Sequence, residues 1–333
     1  MTSITVTSAT EWPITLGDVE RARARLAPYL TPTPLRHYPQ LGTLVGNGIE
    51  VFVKHENHQP TNSFKIRNGL SFMTSLTEEE RRRGVVAAST GNHGQGIAYG
   101  GTMLGVETTI CVPAGNNPDK NATMRALGAM VIEEGRDYDE AVIVMQRIAT
   151  RDGRVVAHST NDPRIIAGAA TMTLEILEQE PTLDALVIAV GGGSQAVGAL
   201  TVARALSSDI AVYGVQAAGA AAIHDSWHAR ERLTTPRADT FAEGVATRST
   251  YDLTFPTLLA GLADFVTVTD AEIAESLRVI LSVTHNLVEG AGAMGYAALA
   301  KLRDALAGQR VGIIFCGGNL DVGTLRRILA HEL

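Results

Sequence analysis

The stretch at residues 61–69 has the sequence Thr61-Asn62-Ser63-Phe64-Lys65-Ile66-Arg67-Asn68-Gly69. Its lysine, Lys65, lies between apolar neighbours at a point where a loop leads into a predicted helix. Burying an ammonium group is costly, so most lysines remain at the surface. A lysine in such a setting loses its proton readily, and its neutral amine can form a Schiff base with a carbonyl compound. The alternative is an ordinary packed lysine with no chemical role. The motifs that follow along the chain favour a reactive, Schiff-base lysine.

The composition favours a large α/β protein. The 333 residues are 45% hydrophobic and only 5% aromatic, with 33 glycines. This content is typical of α/β layers rather than of an aromatic-rich β-sandwich. The formal charge of -7, without a long basic run, argues against a nucleic-acid partner.

Cysteine usage and hydropathy predict the compartment. The two cysteines, Cys111 and Cys316, lie in apolar runs, which indicates a reducing compartment rather than a disulfide framework. Residues 1–13 lack the pattern of a signal peptide, and no apolar stretch is long enough to span a bilayer. We therefore expect a soluble, cytoplasmic protein with no membrane partner.

Apolar strand-like runs alternate with helical patterns along nearly the whole chain. Strands are predicted at residues 49–54, 84–89, 107–112, 130–133, 155–158, 185–190, 210–216, 264–268 and 311–316. Helices are predicted at residues 16–28, 65–75, 93–104, 118–127, 138–150, 163–179, 195–206, 271–285, 293–307 and 322–332. This alternation predicts two doubly wound, mostly parallel-sheet α/β domains with the active site in the cleft between them. The connection from residue 216 to residue 263 is predicted to be long and irregular.

Three glycine-rich turns, at residues 89–96, 190–198 and 315–321, each follow a predicted strand. Backbone N–H groups at the start of a helix favour anions, so these turns are candidate ligand sites. The consecutive glycines Gly191, Gly192 and Gly193 resemble a phosphate nest. A Walker A loop is excluded because no lysine follows the last glycine. A dinucleotide fingerprint is satisfied, although Gln216 stands where a ribose-binding acid is expected, so a nicotinamide enzyme remains an alternative.

Metal signals are weak. His224 and His228 have the i,i+4 spacing of two ligands on one helix face, but no third ligand accompanies them. A surface helix explains this pair. No nucleophile elbow or protease triad is present in the sequence.

Taken in order, these motifs resemble those of the fold-type II pyridoxal-phosphate enzymes, above all the serine/threonine dehydratases (ammonia-lyases) and serine racemase. The resemblance covers residues 33–321. It rests on five motifs, which are residues 63–67, residues 89–96, residues 191–194, residues 288–293 and residues 316–319. The family implies a large cofactor-binding domain (1–70 and 160–333), a small mobile domain (71–159) and a homodimer.

The resemblance also implies a role for each matching residue. Lys65 would bind pyridoxal 5'-phosphate as a Schiff base and later act as the base at the substrate α-carbon. The other implied cofactor contacts are Phe64 against the ring, Asn92 at the ring hydroxyl, Gly191, Gly192, Gly193 and Ser194 around the phosphate, and Cys316 at the ring nitrogen. The implied substrate-carboxylate site consists of Ser89, Thr90, Gly91 and His93.

The implied reaction is the dehydration and deamination of a β-hydroxy-α-amino acid such as L-threonine or L-serine to a 2-oxo acid and ammonia. Departures at Asn62, Asn68 and Glu243 leave room for a bulkier substrate. Ser194 gives the nest the Gly-Gly-Gly-Ser pattern of the tryptophan synthase β chain, which keeps β-replacement as an alternative. Thr90 stands where racemases carry a serine, so racemization is a further alternative. A cofactor-binding protein without catalytic activity is an alternative from another class.

The resemblance bears on metal binding as well. Many family members bind a divalent cation through a glutamate and an aspartate that follow the strand ending at residue 216. Gln216 and Ala222 occupy those two positions in this chain. We therefore predict that this metal site is absent.

Overall fold

The computed structural model describes residues 12–206 and 209–333, which form two separate β-sheets. The larger sheet has the strand order β1 (Leu35–His37), β2 (Glu50–Lys54), β10 (Arg310–Ile314), β7 (Ala185–Ala189), β8 (Ala211–Ala217) and β9 (Asp264–Val268). Only the β1–β2 pair within it is antiparallel. The smaller sheet is parallel, with the order β5 (Met130–Glu133), β4 (Thr108–Val112), β3 (Val85–Ala88) and β6 (Val155–Val156).

Helices connect and cover the strands of both sheets. They are α1 (Leu16–Leu26), α2 (Pro39–Val45), α3 (Lys65–Thr74), α4 (Glu78–Arg83), α5 (Asn92–Leu104), α6 (Pro118–Ala126), α7 (Tyr138–Asp152), α8 (Pro163–Gln179), α9 (Ser194–Leu206), α10 (Ala222–Ala229), α11 (Phe255–Gly261), α12 (Asp270–Thr284), α13 (Gly290–Leu302) and α14 (Val322–Leu329). Because parallel strands need a crossover between them, the strand–helix alternation produces this layered arrangement.

Each sheet has its own hydrophobic core. The largest cluster of buried side chains surrounds the larger sheet, and α8 lies within it, buried along most of its length. A separate cluster under the smaller sheet includes Phe72, Ile97 and Ile110. The predicted α/β class with two mostly parallel sheets is thus observed. The domain boundaries at residues 1–70, 71–159 and 160–333, and the mobility of the smaller part, stay predictions.

The structure differs from the predicted elements in several places, and the short helices α2 and α4 are among the elements that were not predicted. Strand β1 was not predicted, because its three residues at an exposed sheet edge leave no alternating pattern. The connection after β8 is long, as predicted, but it is not irregular throughout, since it contains α10 and α11; between these helices only a short 3-10 helix, Glu243–Val245, interrupts the irregular chain. Helix α13 begins at Gly290, before the predicted start, because its early glycines pack closely: a Cβ on Gly292 would lie 2.9 Å from the Gly317 carbonyl oxygen.

Within residues 12–206 and 209–333, none of the helices has both the length and the apolar character needed to cross a bilayer. The absence of a signal peptide was predicted from residues 1–13, which lie almost entirely outside the described part of the chain.

Candidate active site

A cavity of about 1240 Å³ lies at the carboxyl ends of strands from both sheets. The loop after β3 contributes residues 89–93, the loop after β7 contributes residues 191–195, and Cys316 follows β10. Ligands of open parallel sheets bind at this edge, since the strand-to-helix loops converge there. All twelve residues predicted for cofactor or substrate binding line this one cavity, so the structure brings the whole predicted set together.

Lys65 is the first residue of α3 and lies on the cavity wall. The chain before it is fixed to the end of β10, because the Phe64 amide donates to the Cys316 carbonyl oxygen at 3.0 Å. Its Nζ lies 4.9 Å from the centroid of the Phe64 ring. Burial lowers the pKa of Lys65 to about 8, against smaller opposing effects of Cys316 and Glu289. With this pKa roughly a tenth of the amine is neutral at pH 7, far more than for an ordinary lysine, and a Schiff-base lysine reacts in its neutral form.

The loop between β3 and α5 is held by its own serine. Ser89 Oγ accepts hydrogen bonds from the amides of Gly91 (3.1 Å) and Gly94 (2.9 Å). His93 is buried, and its Nε2 is 3.0 Å from the Ala157 carbonyl oxygen. Burial lowers the pKa of His93 to about 3, so its imidazole is neutral. The Ser89 oxygen thus shapes the loop, and the role of this loop in carboxylate binding stays a prediction.

The glycine nest leads directly into α9, where backbone N–H groups at the helix start favour an anion. Gly193 has a φ of +98°, which favours glycine. A Cβ on Gly191 would lie 2.6 Å from the Gly244 carbonyl oxygen, and one on Gly192 would collide with Thr160 Oγ1. The Nε2 donor of buried Gln195 has no partner among the described residues. Bare backbone and unpaired donors of this kind fit a phosphate group.

Cys316 lies at the end of β10 and is buried. Burial raises the pKa of its thiol well above the usual range, so the thiol is neutral. A neutral thiol fits beside a heterocyclic nitrogen without giving it a charged partner. Together, the Lys65 amine, the nest and this thiol fit an aromatic aldehyde that carries a phosphate.

Two residues without a predicted role hold Asn92 in place. Asn92 Nδ2 donates to Glu289 Oε1 at 2.7 Å, and Asn319 Nδ2 donates to Asn92 Oδ1 at 2.8 Å. Burial raises the pKa of Glu289, although the Asn92 hydrogen bond and Lys120 oppose this. The sequence signal was a single acidic residue in the apolar, glycine-rich run at 288–293. Lys120, which was also not predicted, lines the cavity and forms an ion pair with Glu243.

No group of three potential metal ligands is found in the described ranges, 12–206 and 209–333. The His224 and His228 rings lie against each other with centroids 4.4 Å apart, and His228 Nε2 is 2.9 Å from the Phe265 carbonyl oxygen. Gln216 Oε1 accepts from the amides of Ile223 and His224, so it stabilises the start of α10. The absence of the metal site at Gln216 and Ala222 stays a prediction.

Comparison with known proteins identifies the family. The family model for pyridoxal-phosphate dependent enzymes matches residues 26–317. The chain belongs to this family. It is similar to the L-threonine ammonia-lyase of Thermotoga maritima, with 37% identity over 320 residues that cover 96% of this chain and 79% of the relative. It is also similar to the catabolic L-threonine dehydratase TdcB of Staphylococcus aureus, with 32% identity covering 100% of this chain and 97% of the relative.

The fold of this pyridoxal-phosphate enzyme is similar to that of maize serine racemase, with a TM-score of 0.91 and 28% identity. The match covers 96% of this chain and 98% of the maize protein. The predicted family, its fold and its cofactor, pyridoxal 5'-phosphate, are confirmed, as is the predicted lyase class. The alternative of a nicotinamide-dependent enzyme is not supported, because the matching family is that of the pyridoxal-phosphate dependent enzymes. The roles of the individual site residues stay predictions.

Proposed function

We propose that this enzyme dehydrates and deaminates a β-hydroxy-α-amino acid of the L-threonine or L-serine type, giving a 2-oxo acid and ammonia. The observation that carries the proposal is that Lys65 shares one cavity with the glycine nest and the loop at residues 89–93. The activities named for the two relatives from Thermotoga maritima and Staphylococcus aureus support it. A cytoplasmic homodimer is part of the same proposal.

Each cofactor-binding residue would contact a different chemical group of the cofactor. Lys65 would hold the cofactor covalently, Phe64 would pack against its ring, and the nest at residues 191–194 would bind its phosphate. Asn92 would donate to its ring oxygen, and Cys316 would lie at its ring nitrogen. Bound pyridoxal phosphate supplies an aldehyde for the substrate amine and withdraws electrons from the α-carbon.

The protein orients the substrate and moves its proton. Amides at Gly91 and His93, with the hydroxyl groups of Ser89 and Thr90, would hold the α-carboxylate. Lys65 Nζ, freed when the substrate binds, takes the α-proton, since its lowered pKa makes the neutral amine available. Loss of the β-hydroxyl as water follows, and hydrolysis then releases ammonia and the 2-oxo acid.

The lysine that binds the cofactor can be identified readily, because few other lysines could be labelled. The chain contains only four lysines: Lys54, Lys65, Lys120 and Lys301. Borohydride reduction of the yellow holoenzyme, followed by peptide mapping, should place the label on Lys65. A Lys65→Ala variant should lose the visible band, while Lys301→Ala, at an exposed position on α13, should keep it. A label on another lysine, or a protein that never binds the cofactor, would refute the proposed anchor.

Product analysis then tests the reaction. A panel of β-hydroxy amino acids is incubated with the holoenzyme, and ammonia, 2-oxo acid and amino-acid enantiomers are measured. Dehydration yields equal amounts of ammonia and 2-oxo acid. A new amino acid with little ammonia would instead indicate β-replacement. Holoenzyme that leaves every substrate unchanged would support a cofactor-binding role without catalysis.

Racemization is the second candidate, and one observation favours it. Thr90 lines the same cavity as Lys65, so its hydroxyl is a candidate proton donor to the other face of the α-carbon. The overall similarity to maize serine racemase points the same way. Formation of the D-enantiomer that disappears in Thr90→Val but not in Thr90→Ser would establish it.

A further inference from the structure

The side-chain amide of Asn92 is held at both ends. Its Nδ2 donates to Glu289 Oε1 at 2.7 Å, and its Oδ1 accepts from Asn319 Nδ2 at 2.8 Å. Turning the amide over would place its NH2 group against the Asn319 NH2 and its oxygen against the Glu289 carboxyl group. Two NH2 groups cannot hydrogen-bond to each other, and the Asn92 oxygen cannot hydrogen-bond to an ionised Glu289 carboxylate. The two neighbours therefore select one orientation of the Asn92 amide.

The side chain of Glu289 is itself built into the cavity wall. The backbone N–H of Glu289 donates to the Gly317 carbonyl oxygen at 2.9 Å, and this hydrogen bond fixes the backbone at residue 289. A Cβ on Gly317 would lie 2.6 Å from Glu289 Oε1 and 3.3 Å from Asn92 Nδ2. The glycine therefore leaves the space in which Glu289 and Asn92 meet. A backbone hydrogen bond from Asn319 to the Glu289 carboxyl group connects the two neighbours of Asn92.

Asn319 is anchored outside this pair. Its Nδ2 also lies 2.9 Å from the Thr61 carbonyl oxygen and 3.1 Å from Gln95 Oε1. The first contact links Asn319 to the segment that precedes Lys65, and the second links it to α5. The position of Asn92 is thus coupled to the chain segments that carry Lys65 and the substrate loop.

An Asn92 amide in this orientation has one N–H on Glu289 and a second N–H free for another acceptor. Asn92 lines the cavity. We infer that Glu289 is a positioning residue, which with Asn319 sets the Asn92 amide so that an N–H faces the ring oxygen of the cofactor. The inference rests on the proposed cofactor role of Asn92. It assigns a function to two residues that do not themselves have to touch the reacting atoms.

The test is cofactor binding rather than catalysis. Apoprotein is titrated with pyridoxal phosphate, and the dissociation constant and the position of the visible band are recorded. Removing the carboxyl group in Glu289→Ala should weaken binding about tenfold and shift the band, because the Asn92 amide loses its fixed orientation. Glu289→Gln keeps an acceptor oxygen and should restore binding to within about threefold of the wild-type protein.

A double substitution separates positioning from general structure. If Glu289 acts through Asn92, adding Glu289→Ala to Asn92→Ala should change neither the dissociation constant nor the band any further. Additive losses in the double variant would overturn the inference, as would wild-type binding and spectrum in Glu289→Ala. Should Glu289→Ala fail to fold, Asn319→Ala frees the other end of the amide and must show the same dependence on Asn92.

The outcome also distinguishes this inference from the proposed function. If the wild-type protein forms no visible band, or if the label after reduction is not on Lys65, the proposed anchor is wrong. If the wild-type protein and its Lys65 label behave as proposed but Glu289→Ala is indistinguishable from it, only the positioning role is wrong.

Discussion

Gly96 packs directly against the backbone of Lys65. A Cβ at residue 96 would lie 2.9 Å from the Lys65 carbonyl carbon and 3.2 Å from the Ile66 nitrogen. On the other side of the crossing, a Cβ on Gly69 would lie 2.9 Å from the Ile97 nitrogen. Helices α3 and α5 therefore meet backbone to backbone, which fixes the lysine relative to the loop at residues 89–93.

Gly96→Ala should destabilise the protein by about 2 to 3 kcal/mol, since the added methyl group has only backbone to displace. Equilibrium urea unfolding measures the change. Gly17→Ala is the matched control: in α1 the new methyl group would meet only side-chain atoms, the nearest being Arg21 Nη1 at 3.3 Å. A Gly96→Ala protein as stable as the control would show that the two helices can separate freely.

Gly192→Ala should abolish tight cofactor binding and should also destabilise the apoprotein. The methyl group would collide with the side chain of Thr160 in the proposed phosphate nest. Titration with pyridoxal phosphate gives the dissociation constant. Adding Thr160→Gly removes the colliding atoms, so the double variant should regain part of the lost affinity. If the single variant bound as tightly as the wild-type protein, the phosphate would have to lie elsewhere.

Arg67 should matter for stability far more than a surface arginine. It donates to Glu56 at 2.8 Å and to Glu175 at 2.7 Å, and both ion pairs are buried. Arg67→Met would leave two carboxylates without this partner, at a cost of about 3 to 5 kcal/mol. Arg82→Met breaks the exposed pair with Glu79 and should cost about 0.5 kcal/mol or less.

The comparison is made by urea unfolding of both arginine variants at the same pH. Equal losses would mean that the buried network is no more important than the surface pair. Glu175→Gln provides a second measurement, because this carboxylate also accepts from the buried Lys54 at 2.8 Å.

The residues of the site that could be predicted from the sequence share one property. Lys65, the nest at residues 191–194 and Cys316 each lie in a short motif next to a strand or helix end. The chemistry of such a motif depends on its immediate neighbours. Because parallel strands place their carboxyl ends at one edge, knowing that the motifs follow strands was enough to expect them together.

The supporting contacts depend instead on pairs of residues far apart in the chain. Glu289 is 197 positions from Asn92, and Glu175 is 108 positions from Arg67. A buried ion pair or side-chain hydrogen bond of this kind leaves no local pattern in the sequence, because the packing of the helices decides which two residues meet. The same reason explains why α10 and α11 were not predicted. These helices are short, and they pack against β9 and α9, which are distant from them in the predicted pattern.

The pH dependence of cofactor capture should report the pKa of Lys65. As pH rises through about 8, the amine loses its proton, and the neutral, nucleophilic fraction increases. The rate constant for capture of pyridoxal by the apoprotein should therefore rise with pH and level off above that value. Pyridoxal is used instead of its phosphate so that no phosphate group titrates in the same range.

Stopped-flow absorbance from about pH 6 to about pH 10 measures this profile. Lys65→Ala gives the background from the other three lysines. A rate constant that is still rising steeply at the upper end of this range, as expected for the ordinary pKa of 10.5, would mean that the amine is solvated in the apoprotein and that burial does not activate it. A midpoint near 8 would assign the activation to desolvation at the cavity wall, because the nearby groups Cys316 and Glu289 act in the opposite direction.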